Sequence, residues 1–100
     1  MTLELRVHPE ARREFNDAVD YYERESPGLG LLFTNEVGAG FARIREYPDA
    51  SPPVAPRTRT LVLAKFPYSL IYESRDDCLM VLAVAHQRKR PHYWRVRQSP

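Results

Sequence analysis

The 100-residue sequence predicts a two-layer α+β domain in the order β-α-α-β-β-β, with a mainly antiparallel sheet covered on one face by a helical hairpin. Three observations carry that prediction. The first residues alternate apolar and polar with period two. Two helical stripes follow, separated only by Ser26-Pro27-Gly28. After Pro56 the chain reads as strands joined by short turns. A chain of this length supplies one hydrophobic core, so residues 1–100 are expected to form a single domain.

Thr2–Val7 places Leu3, Leu5 and Val7 on one face and Thr2, Glu4 and Arg6 on the other, as a half-buried strand requires. His8-Pro9 stops it, and Pro9 suits the first turn of a helix running to about Glu25. Phe15, Ala18, Val19 and Tyr22 form its apolar stripe, and Asp20 and Arg24 are spaced for an ion pair on its surface. Ser26-Pro27-Gly28 turns the chain into a second helix, Leu29–Glu46, with Leu29, Phe33, Val37, Gly40, Phe41 and Ile44 as its stripe. Gly38 and Gly40 weaken that helix by roughly 1 kcal/mol each relative to alanine, so close packing is expected at both.

Tyr47–Pro56 contains four prolines and is read as an extended connector. Arg57–Ala64 is the next strand, with Leu61 and Leu63 on one face, and Lys65-Phe66-Pro67 is a turn. Tyr68–Ser74 sets Tyr68, Leu70 and Tyr72 against Ser69 and Ile71. Arg75-Asp76-Asp77 has hairpin composition, and Cys78–His86 follows. Turns this short make the three strands an antiparallel meander. Leu79–Ala85 has no polar alternate, so it belongs inside the sheet, with the N-terminal strand beside it. A short helical piece is expected near Pro91–Arg97.

The composition is that of a soluble globular protein, and the longest apolar run, Leu79–Ala85, is far short of the ~20 residues of a membrane-spanning helix. No signal peptide is visible and the single cysteine, Cys78, cannot form an internal disulfide; a cytoplasmic location without membrane attachment is expected. Cys78 reads as a small residue opening a strand. Charge is divided unevenly. Residues 1–56 carry six Lys/Arg and ten Asp/Glu, whereas residues 57–100 carry nine and three. A basic C-terminal half points to an acidic partner, nucleic acid or protein.

The chemistry-bearing residues gather at the end of the last strand. Histidine is the side-chain type whose ordinary pKa lies near neutral, so His86 can give or take a proton, or simply cap the strand. Arg88-Lys89-Arg90, joined by Arg57 and Arg59 if these share a face, can bind phosphate or an acidic protein, or form an ordinary solvated run. Tyr93-Trp94 beside Arg95 can stack on bases, but a lone tryptophan is more often core, with Tyr93 at its rim. Tyr21, Tyr22, Tyr47, Tyr68 and Tyr72 read as packing residues. There is no glycine-rich phosphate loop, and His8, His86 and His92 are too scattered for zinc, so neither a cofactor nor a metal is expected.

His8-Pro9-Glu10-Ala11, Phe15…Asp20-Tyr21-Tyr22, Phe33, Tyr47-Pro48, Phe66-Pro67-Tyr68-Ser69-Leu70-Ile71-Tyr72 and Val81-Leu82-Ala83-Val84-Ala85-His86-Gln87-Arg88-Lys89-Arg90-Pro91…Tyr93-Trp94, in this order and spacing, resemble toxins of the RelE/ParE superfamily of bacterial type II toxin–antitoxin systems. The resemblance covers nearly the whole chain. It implies the RelE-like fold, a growth-inhibiting toxin, and an antitoxin encoded beside it that covers apolar grooves and the basic face. Two modes of action are implied. ParE-like members bind DNA gyrase, whereas RelE-like members enter the ribosome and cleave mRNA.

For a nuclease, the resemblance suggests His86, Arg57, Arg88 and Tyr93 as catalytic residues. For a binding protein it suggests Arg57, Arg59, Arg88, Lys89, Arg90 and Arg95 as the surface for target or antitoxin. The sequence departs from the nuclease pattern at Tyr68-Ser69-Leu70, where those enzymes resemble Tyr-Arg-Leu, and it lacks their lysine-rich segment before the strands. The ParE-like reading is therefore favoured. An mRNA endoribonuclease is the alternative, and a non-toxic basic nucleic-acid-binding protein the third.

Overall fold

The computed structural model describes residues 3–99; the expected strand start at Thr2 lies outside them. The first strand, β1 (Glu4–Val7), alternates exposed and half-buried residues. His8 ends it and caps α1 (Pro9–Glu25): its Nδ1 accepts the Glu10 N–H at 3.1 Å, while Pro9 sits where its missing N–H leaves no helical bond unmade. The Asp20–Arg24 pair is not among the ion pairs of the described residues; Arg13 and Glu10 pair on this helix instead, at 3.1 Å.

The second helix, α2 (Leu29–Glu46), begins after Gly28, whose φ of +88° makes the turn. Its first N–H groups are capped from the other helix. The Glu23 carboxylate accepts the Gly28 N–H at 3.0 Å and the Gly30 N–H at 3.1 Å. The two helices approach so closely here that a Cβ on residue 30 would lie 2.9 Å from the Val19 carbonyl oxygen. Gly40 meets the expectation of close packing: its Cβ would lie 2.7 Å from Leu70 Cδ1. Gly38 does not. Nothing lies within 4 Å of its missing Cβ, and it borders an apolar cavity of about 260 Å³ with Phe15, Val37 and Phe41.

Five strands form the sheet. Besides β1 they are β2 (Pro53–Ala55), β3 (Thr58–Val62), β4 (Tyr68–Ser74) and β5 (Cys78–His86), in the order β1-β5-β4-β3-β2. β1 runs parallel to β5 and every other pairing is antiparallel. The α+β class and the meander agree with the sequence. The addition is β2, inside the stretch expected to be a connector. A short edge strand is where proline is tolerated, because one side of it pairs with nothing. The β2–β3 turn, Pro56-Arg57, holds Arg57 at φ +60°, a conformation that costs roughly 1–2 kcal/mol for a residue with a Cβ.

β5 is buried on both faces, as its unbroken apolar run requires. The alternation shifts along it, because the register with β4 slips between Ile71 and Tyr72. Leu79, Val81 and Val84 therefore join the helix-side core with Phe33, Val37, Ile44, Leu70 and Tyr72. Leu82, Ala83 and Ala85 join Ile71 and Trp94 on the opposite face. Tyr22, Phe33, Phe66 and Tyr68 form an aromatic cluster on the helix side, with ring centroids 4.9–6.2 Å apart. Tyr72 is fully buried and its hydroxyl donates to the Pro48 carbonyl at 2.7 Å. Tyr21 and Tyr47, expected to pack, are exposed instead. No helix of the described residues is long and apolar enough to cross a membrane.

Candidate functional site

The candidate edge is built where β5 loses its partner on the β1 side and keeps only β4. β1 pairs with β5 only as far as Val81, and the His8 N–H donates to the Val81 carbonyl at 2.9 Å. The Val84 N–H beyond it is taken by a side chain, the Glu14 carboxylate of α1, at 3.0 Å. The Leu82 carbonyl, in the irregular part of the ladder, accepts from the Arg97 guanidinium at 2.9 Å. Arg97 also forks onto Glu14, at 3.0 and 3.2 Å, and the Tyr93 hydroxyl donates to Glu14 at 2.6 Å. One carboxylate thus takes four donors at the margin of the core, where the Glu14 and Arg97 side chains are 18% and 11% exposed. Burial, then the bond to Glu14 and its charge, push the Tyr93 hydroxyl well above the ordinary tyrosine range, against the pull of Arg97.

His86 is the last residue of β5, opposite Tyr68, and the two rings meet edge to face at 5.1 Å. Its Nδ1 accepts the Arg88 N–H at 3.0 Å. The Nδ1 lone pair is therefore engaged by the backbone. The Gln87 N–H donates to Pro67 and the Lys89 N–H to His86, which folds the chain into a tight turn. Arg88, Lys89 and Arg90 all project from this turn and are exposed. His92, at φ +61°, redirects the chain into the 3-10 segment Tyr93–Arg97.

This segment lies on the sheet face away from the helices. Trp94 is buried against Ile71, Leu82, Ala83 and Ala85, so it closes the core and does not stack outward. Tyr93 is half-buried beneath Lys89, whose Nζ lies 5.5 Å from the ring centroid. Arg95 points to solvent. Between the turn and the sheet runs a groove lined by Thr60, Ser69, Ala85, Gln87, Arg90 and Trp94. Ser69 stands in that groove at the position where the nuclease pattern has arginine.

Arg57 and Arg59 do not join this edge. In the meander, β3 and β5 flank β4 and begin at the same end of the sheet. Thr58 pairs with Glu73, whereas His86 pairs with Tyr68, five residues along β4 and roughly 17 Å of strand away. Arg57 sits at the opposite end, 3.4 Å from Asp76, and Arg59 donates to the Ser51 carbonyl at 2.7 Å. The expected cation set divides accordingly. Among the described residues, Arg88, Lys89, Arg90 and Arg95 have no carboxylate within ion-pair distance, while Arg57 and Arg59 each have one.

Glu14 and Arg97 are the residues that sequence reasoning missed. Glu14 borders an apolar helical stripe and looks like a solvated charge, and its partners lie 70 to 83 positions away. Glu73 was missed for the same reason. Almost fully buried, it accepts from Arg75 Nε at 2.7 Å and from the Ser99 N–H and hydroxyl. Cys78 is buried at the start of β5, and burial raises its thiol pKa, which leaves it little thiolate character. The described residues contain no group of three or more His, Cys, Asp or Glu side chains placed to hold a metal ion.

Comparison with known proteins is consistent across sequence and structure. Residues 5–91 match the family model described as the ParE toxin of the type II toxin–antitoxin system parDE. The chain is 31% identical over 93 residues to Toxin ParE2 of Mycobacterium tuberculosis, covering 92% of this chain and 89% of that protein. It is 31% identical over 80 residues to the putative toxin Y4kP of Sinorhizobium fredii, covering 78% of this chain and 83% of that one. Its fold matches a chain of the chromosomal ParDE toxin–antitoxin system from P. aeruginosa, with a TM-score of 0.75 at 17% identity, over 85% of this chain and 96% of the other.

Proposed function

The chain belongs to the ParE toxin family of type II toxin–antitoxin systems, and from that premise we propose that it arrests growth by binding a protein target, DNA gyrase, through its basic edge and without chemistry of its own. It acts in the cytoplasm, and its cognate antitoxin, the product of the adjacent gene, neutralises it by covering this edge. The observation that carries the reading is the contrast between engaged and free groups. A nuclease needs a base, an acid and cations converging on one phosphate. Here the His86 lone pair is used by the Arg88 N–H, the Tyr93 hydroxyl is held by Glu14, and Arg57 lies at the far end of the sheet. Arg88, Lys89, Arg90 and Arg95 are exposed and free of carboxylate partners among the described residues, which suits an acidic protein surface.

The test separates binding from catalysis. His86→Ala is expected to retain growth arrest on induced expression, because no proton transfer is involved. Arg88→Ala/Arg90→Ala is expected to lose most of it. In-vitro translation with mapped mRNA ends is expected to show no new cuts. Cleavage at the ribosomal A site that disappears in His86→Ala would contradict the proposal and establish the endoribonuclease.

A further inference from the structure

We propose that Glu14 is a positioning residue for the basic edge: its single carboxylate grips both stems of the turn that carries Arg88, Lys89 and Arg90, and so sets the shape in which they are presented. The inference rests on the reading of that edge as the target-binding surface, and adds to it the part that holds the surface in place.

The incoming stem of the turn is the end of β5, and Glu14 Oε1 accepts the Val84 N–H at 3.0 Å. The outgoing stem is the 3-10 segment, and Glu14 accepts from the Tyr93 hydroxyl at 2.6 Å and from Arg97 at 3.0 and 3.2 Å. Arg97 closes the same ring from the other side by donating to the Leu82 carbonyl at 2.9 Å. Residues 85–92, including all three cations of the turn, lie between these attachment points. The incoming stem keeps β4 on one side, but on the other β1 has already ended at Val7, and the outgoing stem pairs with no strand. Removing the carboxylate leaves a part-buried N–H, a part-buried hydroxyl and a part-buried guanidinium facing one another, an arrangement that the low local dielectric penalises. The turn would then reopen, with the cations still present but no longer in one arrangement, and binding would carry the cost of ordering them again.

The test uses the full chain in three variants. Glu14→Ala removes every bond. Glu14→Gln keeps an oxygen for the Val84 N–H and removes the charge that holds Arg97. Ile44→Ala is a control, fully buried in the helix-side core and not among the hydrogen-bond partners of Glu14. Two readouts are taken: hydrogen exchange of residues 85–97, with the emission of Trp94, the sole tryptophan, and the inducer level needed for growth arrest at matched soluble protein.

The expected result is a tenfold or greater loss of protection in residues 85–97 and a red-shifted Trp94 emission in Glu14→Ala, with a loss of growth arrest of similar order. Glu14→Gln falls between this and the wild type, and Ile44→Ala retains both turn protection and growth arrest. Lost protection with undiminished growth arrest overturns the proposal, as does unchanged protection. An equal loss of growth arrest in Ile44→Ala also overturns it, because the effect is then one of stability. If Glu14→Ala does not fold, Glu14→Gln decides by the same two readouts. Growth arrest by wild-type protein that leaves gyrase active overturns the gyrase reading alone and leaves this test intact. Wild-type protein that causes no arrest overturns both.

Discussion

The helix side of the sheet and the opposite side are covered in different ways. On the helix side, α1 and α2 lay a continuous apolar surface over Leu70, Tyr72, Leu79, Val81 and Val84, and an aromatic cluster fills the space between them. On the other side, a single five-residue segment covers Ile71, Leu82, Ala83 and Ala85 with one large side chain, Trp94. Apolar area holds the first cover in place. Two carboxylates hold the second, Glu14 at one end of the segment and Glu73 at the other. A face held by area is insensitive to any single polar group. A face held by a few charge-assisted bonds depends on each of them, and the basic turn belongs to that face.

Substitutions that remove area from one face or a tie from the other should separate the two. Phe33→Ala, at a fully buried ring shared by both helices and β4, is expected to cost about 3–5 kcal/mol and to lower the whole unfolding transition, as chemical denaturation would show. Glu73→Ala is expected to cost less, roughly 1–3 kcal/mol, by leaving Arg75 and the Ser99 N–H without their acceptor. Its signature is local: hydrogen exchange should rise in the C-terminal segment first and leave α1 and α2 protected. Uniform loss of protection would mean that the two covers unfold as one unit.

The glycines of α2 sharpen the same contrast within one helix. Gly38→Ala is expected to stabilise by up to about 1 kcal/mol, since nothing opposes the new Cβ and helix propensity favours it. Gly40→Ala is expected to destabilise by about 1 kcal/mol, because Leu70 is buried and has no room to yield. Thermal melts of the two variants should move in opposite directions. The smallest effect concerns Tyr93. Its pKa is raised in the folded protein by burial and by Glu14, so the folded state binds the hydroxyl proton more tightly than the unfolded state does. This contribution is complete below pH ~10, the ordinary tyrosine pKa, and declines as pH rises above it. Tyr93→Phe should flatten that decline in a series of melts between pH 9 and 11.

These differences also explain what was legible in the sequence. The α1 and α2 stripes, the Leu79–Ala85 core strand and the meander all follow from local periodicity and turn residues, which a single sequence displays directly. β2 was not legible, because four prolines in ten residues mask a three-residue edge strand. The register slip in β5 was hidden for another reason: an all-apolar run carries no alternation that a bulge could interrupt. At the site, the basic turn and the role of Trp94 as a cover were readable from composition. The separation of Arg57 from His86 was implicit in the meander, whose first and third strands begin at the same end. Glu14, Glu73 and Arg97 were not readable, because a buried ion pair and a solvated charge look alike until the fold brings the partners together.

The account turns on the basic edge acting as a docking surface. The most direct measurement is supercoiling of relaxed plasmid by purified gyrase, with increasing amounts of the wild-type protein and of Arg88→Ala/Arg90→Ala. The account predicts that the wild type inhibits supercoiling, that the double variant needs at least tenfold more protein for the same effect, and that His86→Ala behaves as the wild type. Undisturbed supercoiling at every concentration of a wild-type protein that still arrests growth would contradict it.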